Sequence, residues 1–139
     1  MKIRFALAFL LGSTLAVSAQ SNLRVVIKNL KSNEGSVYIG VYNQSDLWLT
    51  EDGDFTGQEV SISELNASGV FENLPAGRYA VAVYHDENGD DRYNKSWIGL
   101  PLEPYGFSNN KQFVVSPPDF EEASVEVQQQ DVEIAIVLR

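Results

Sequence analysis

Residues 86–94, "DENGDDRYN", place Asp86, Asn88 and Asp90 at alternate positions. Hard oxygen donors at that spacing can converge on one Ca²⁺ in a tight loop, with the Arg92 carbonyl as a fourth ligand and Asn94 where a water-bridging ligand sits. Two positions depart from the calcium-loop pattern. Asp91 stands where a glycine is expected, with Gly89 two places early, and Trp97 stands where a bidentate acid belongs. Glu103 or Asp91 could supply that acid, and the spacing does not choose between them. A solvated acidic turn would use the same residue types, so a calcium site here is an expectation and not a signature.

His85 is the single histidine of the chain. In an extended strand it shares a face with Tyr79, Val81 and Val83, which puts it at the rim of a core beneath the loop that follows. Asp86 would then point the other way, so the adjacent His-Asp pair is not a catalytic dyad. One histidine cannot build a three-His zinc centre. Ser-His-Asp chemistry needs a placed nucleophile and oxyanion donors, and no motif identifies either. Further on, "WIGLPLEPYGFSNN" carries Trp97, Tyr105, Phe107, Ser108 and Asn109. Exposed, these residues would form a ligand or partner surface together with His85. Folded inward, their rings would close the open end of a sandwich. No catalytic residue is assigned.

Alternation of apolar and polar residues supplies the elements that must position these groups. Leu23, Val25 and Ile27 alternate with Arg24, Val26 and Lys28, and Val37, Ile39 and Val41 with Tyr38, Gly40 and Tyr42. The turn residues between these two runs predict a hairpin. "QEVSIS", "GVFENL" and "RYAVAVYH" read as further strands, and "ASVEVQ" and "VEIAIVL" as a closing hairpin around Gln129 to Asp131. About seven short strands at this spacing predict a single all-β, Greek-key-type sandwich. The only helical turn expected lies between Asp46 and Asp52, with Asp46 as its N-cap. Asp86 to Asn110 shows no strand pattern. Loops longer than about 12–15 residues in compact domains are usually functional or disordered, and the aromatic content here argues against disorder.

The first 19 residues, "MKIRFALAFLLGSTLAVSA", have Lys2 and Arg4 ahead of an apolar run, then Val17 and Ala19 at the positions before a cleavage site. This is the three-part pattern of a signal peptide, with a run too short for the roughly 20 residues of a membrane span. Residues 1–19 are therefore expected to be removed and 20–139 to form the domain, periplasmic or secreted, with no transmembrane segment. The 120 residues left hold 8 basic and 19 acidic side chains, a formal net charge of −11. That charge repels nucleic acid and favours cations and basic partners. The absence of cysteine excludes disulfides, thiol catalysis, thiolate zinc sites and lipid attachment at cysteine.

The segment "FENLPAGRYAVAVYHDENGDDRYNKSWIGLPLEPYGFSNN", with "PPDFEEASVEV" after it, resembles the domain of unknown function 2141 family of small exported bacterial proteins. The resemblance implies an extracytoplasmic, transthyretin-like or prealbumin-like sandwich, and it carries no activity and no catalytic residues. The leading expectation is a non-enzymatic binding or interaction module with a weak calcium site, whose partner is an envelope protein or a small ligand. One alternative is a small enzyme using His85 and long-loop residues. Another is a structural component of an envelope assembly.

Overall fold

A computed structural model describes residues 19–94 and 101–139. The expected leader, apart from Ala19, and Trp97 lie outside the described residues. Eight strands build two sheets: β1 (Gln20–Lys28), β2 (Ser36–Tyr42), β3 (Thr56–Ser61), β4 (Ala67–Pro75), β5 (Gly77–Asp86), β6 (Tyr105–Phe107), β7 (Ser124–Val127) and β8 (Val132–Val137). One sheet has the order β4-β1-β8, and the other β3-β2-β5-β6, with β7 also paired to β5. The all-β sandwich expected from the alternation is the observed architecture.

The core lies between the sheets and draws on both. Leu23, Val25 and Ile27 of β1 are completely enclosed, as are Val37, Ile39 and Val41 of β2 and Val81 of β5. Each such side chain contributes roughly 1.5–3 kcal/mol by leaving water. This inward set is the one the alternation selects, because successive strand residues point to opposite faces.

The pairing of the strands differs from the expected hairpins. β1 does not pair with β2. It pairs antiparallel with β4 and parallel with β8. β2 lies in the other sheet, between β3 and β5. The linker between them crosses from sheet to sheet: Asn29 takes φ 67°, Leu30 is buried in the core, and its N–H donates to the Leu65 carbonyl. The closing hairpin is likewise replaced by a crossing, since β7 pairs with β5 and β8 with β1. Alternation reports which face is buried but carries no information about the neighbouring strand.

The helical turn expected at Asp46–Asp52 is a 3₁₀ turn at Ser45–Leu47, preceded by Gln44 and with no side-chain cap. One short helix was not anticipated: α1 (Phe120–Ala123), opened by a capping box in which Asp119 and Glu122 each bond the other's backbone N–H. The Asp-x-x-Glu spacing at 119–122 is its sequence signal. Phe120 and Ala123 pack with Tyr42, Ala80 and Trp48 in a second, smaller cluster on the outer face of the larger sheet.

Candidate functional site

β5 supports the site. Tyr79, Val81, Val83 and His85 all point into the interior, at 3% exposure or less. Tyr84 and Asp86 therefore face the other side of the sheet. Gly35, just before β2, packs against the end of β5. A Cβ there would stand 1.9 Å from the Asp86 carbonyl oxygen, and its φ of +71° already favours glycine. Glu34 beside it accepts a 2.6 Å hydrogen bond at its carbonyl from His85 Nε2. His85 is wholly enclosed, and its Nδ1 lies 3.8 Å from a Glu87 carboxylate oxygen. It anchors the root of the loop, and its ring does not reach solvent.

The outer edge of β5 is divided. β7 pairs with Gly77 to Ala80, and β6 pairs with Ala82 to Tyr84. Val81 falls in the gap, and Ser108 fills it. The Val81 N–H donates 2.8 Å to Ser108 Oγ, whose own O–H is placed between the Val81 and Ala123 carbonyls. Asn109 and Asn110 extend the patch. Asn109 donates to the Glu122 and Ser124 carbonyls, while Asn110 donates to the Ala135 carbonyl and accepts from the Val137 N–H. Both occupy the left-handed region, which asparagine tolerates better than most residues. Of the expected ligand-surface residues, then, Ser108 is fully buried, Phe107 is buried, Asn109 is committed to backbone carbonyls and Tyr105 remains half-buried.

β6 also decides which acid meets Asp86. Its register pairs Tyr84 with Tyr105, and the next step is made by the His85 N–H donating 2.9 Å to the Pro104 carbonyl. One residue further, that register sets Glu103 opposite Asp86. One carboxylate oxygen from each of Asp86, Asp90 and Glu103 lies within 4.8 Å of the others. Asp86 is 2% exposed and accepts the N–H groups of Gly89, Asp90 and Asp91, which folds the loop back over it. Gly89 and Asp91 both take positive φ. Asn88 and Asn94 turn their amide groups to Asp90 Oδ2, at 3.2 and 2.9 Å. The Arg92 N–H donates 3.0 Å to Asp90 Oδ1. Asp86, Asn88, Asp90 and Asn94 are thus gathered by their side chains around one acidic pocket that Glu103 joins, while Arg92 enters through its N–H and not the carbonyl expected of it.

Glu103 is the atypical member. It is 7% exposed, and its Oε2 accepts the Asn94 N–H at 3.0 Å. Among the described residues its buried Oε1 has no hydrogen-bond partner. Burial raises its pKa above the ordinary carboxylate value. The neighbouring Asp86 and Asp90 add to this, against the opposing Asn94 and Glu87 N–H groups. Asp90 is shifted the other way, chiefly by the Asn94 amide. Tyr84, beside the cluster, is pushed up to about 12 by burial and then by the Asp86 and Glu103 charges, so its hydroxyl stays protonated.

A family model described as uncharacterized proteins conserved in bacteria (DUF2141) matches residues 25–135. The chain belongs to the DUF2141 family. The match spans β1 to β8 and so takes in both the acidic pocket and the Ser108 patch. A search of curated proteins gives no match, and neither does a search of solved structures. Among the described residues of this DUF2141 domain no helix is long and apolar enough to cross a membrane.

Proposed function

We propose that this DUF2141 protein is an extracytoplasmic binding module, of transthyretin-like type, that holds a calcium ion in the loop after β5. The observation that carries the calcium reading is the Glu103 Oε1 atom, buried and unpartnered beside two more carboxylates. A buried carboxylate oxygen without a hydrogen bond is costly, and like charges at this separation repel. A cation between them removes both penalties. Oxygens bound to one Ca²⁺ at about 2.3–2.6 Å can be no more than about 5 Å apart, and the cluster meets that limit. Asn88 and Asn94 sit at its mouth. Rotating either terminal amide by half a turn exchanges its NH₂ for a carbonyl oxygen, which calcium accepts. Extracytoplasmic location is supported by the three-part N-terminus. It is also compatible with the fold, since β1 begins at Gln20, directly after the expected cleavage site.

The test is thermal melting under rising Ca²⁺, with Mg²⁺ at equal ionic strength as control. Binding in the ~10⁻⁴–10⁻³ M range would stabilise the fold by about 1.4 kcal/mol at tenfold excess, a shift of several degrees. Mg²⁺ should do less, because it demands octahedral geometry and sheds water reluctantly. No calcium-specific shift at about 10 mM, well above that affinity range, would remove the site. Location is tested separately by fractionating the host, where the reading requires a form beginning at Gln20 outside the cytoplasm.

A further inference from the structure

The acidic pocket opens onto a second feature that the calcium reading does not use. The outer face of the larger sheet holds a cleft of about 870 Å³, within the roughly 300–1,000 Å³ typical of ligand pockets. Along its floor Gly40 pairs with Ala82 on β5 and with Gly57 on β3, and tyrosine side chains lie over these glycines: a Cβ at Gly57 would meet the Tyr38 hydroxyl at 2.0 Å, and one at Gly40 the Tyr42 ring at 3.2 Å. The next row across the same face is aromatic. Tyr38 pairs with Tyr84, which pairs with Tyr105. Tyr38 and Tyr84 have ring centroids 5.6 Å apart, and Tyr84 and Tyr93 5.4 Å apart. The charge is one-sided. Among the described residues, Glu51, Asp52, Asp54, Glu59, Asp86 and Asp91 line the cleft against one base, Arg92.

We infer that this cleft binds the guanidinium side chains of an arginine-bearing peptide segment. Two features select that chemistry. The faces of the tyrosine rings are electron-rich and attract a cation lying flat upon them, which a planar guanidinium does better than an ammonium. Around them, carboxylates such as Asp54 and Glu59 can take the paired N–H donors of that fork. Asp54 already accepts 2.6 Å from the Tyr38 hydroxyl and Glu59 2.6 Å from the Ser36 hydroxyl, so both oxygens are held in position. The inference deepens the binding-module reading and does not need the calcium site, which borders the cleft at Asp86 and Arg92.

The experiment is calorimetric titration of the purified protein with capped tri-arginine, tri-lysine and tri-citrulline peptides, with and without Ca²⁺. Citrulline keeps the shape of arginine and removes its charge. Tri-arginine should bind at least about tenfold more tightly than tri-citrulline and more tightly than tri-lysine, and should weaken as salt rises. Glu59→Gln and Asp54→Asn should each weaken it by about three- to tenfold. Tyr84→Leu should also weaken it, whereas Tyr84→Phe, which keeps the ring, should not. Equal binding of tri-arginine and tri-citrulline, or of tri-arginine and tri-lysine, overturns the assignment. So does tri-arginine binding untouched by both the Glu59 and the Asp54 variants, with circular dichroism confirming their fold. Loss of peptide binding beside an intact calcium shift sinks the cleft alone. Loss of the calcium shift beside intact peptide binding sinks the metal site alone.

Discussion

Residues 108–110 and residues 86–94 are both runs of short polar side chains at the edge of β5, and they use those side chains in opposite ways. Ser108, Asn109 and Asn110 direct theirs to the backbone of β5, α1, β7 and β8. Asn88 and Asn94 direct theirs to Asp90, in a pocket where three carboxylates converge and Glu103 Oε1 finds no partner among the described residues. The first segment completes the scaffold by filling a gap between two strands. The second concentrates like charge that its own donors do not fully satisfy. Composition alone makes the two look alike. What separates scaffold from candidate site is the destination of each polar atom.

Both regions hang on β5, so the largest effect should come from its support. Gly35→Ala forces a Cβ against the Asp86 carbonyl and puts alanine at φ +71°. A cost of about 2–5 kcal/mol is expected from the left-handed penalty and the overpacking together, visible as a lower urea midpoint. The calcium response should fall as well, because the same contact seats Asp86. Preserved stability would show that the linker is not a support.

Ser108→Ala should cost about 1–3 kcal/mol, since it strands the buried Val81 N–H. Its calcium shift should match that of the wild type, which is what a purely structural segment requires. A changed calcium response would break the contrast drawn between the two segments.

Glu103→Gln should abolish the calcium shift, worth about 1.4 kcal/mol at tenfold excess over the dissociation constant. It should leave the metal-free melt at neutral pH equal or higher, because a buried charge is removed. A lower metal-free melt with an unchanged calcium shift would assign Glu103 to the scaffold.

The pH dependence sharpens the same point. Glu103 has its folded pKa raised above its unfolded value, so within that window the native state binds more protons than the unfolded chain. Its contribution to metal-free stability is therefore lost as pH rises through the window, and is greatest below it. Calcium requires the ionised carboxylate, so its stabilisation should grow as pH rises through the same range. Urea midpoints across pH, read as the difference between wild type and Glu103→Gln, isolate this group from the other acids. The smallest effect belongs to Asp90→Asn, which should leave the metal-free melt almost unmoved while weakening the calcium response.

Much of the fold is legible along the chain. The inward faces of β1, β2 and β5 follow from a period of two, as does the placement of His85 with Tyr79, Val81 and Val83. The Asp119 and Glu122 capping box was legible as well, though its helix is too short to show a period. Tyr105 to Phe107 was harder. Three residues are too few for alternation to register, and the strand is defined only by its pairing with Ala82 to Tyr84.

By itself, then, the sequence determined which side chains of β1, β2 and β5 turn inward, where the acidic loop lies and which oxygens it offers, because these depend on local order and hydrophobicity. Tertiary structure alone decided that β1 lies between β4 and β8, that Ser108 plugs a gap on β5, and that Glu103 rather than Asp91 joins Asp86 and Asp90. Those are matters of register between strands distant along the chain. The period of two sets the face each residue takes, whereas the choice of neighbouring strand is made only when distant segments pack together.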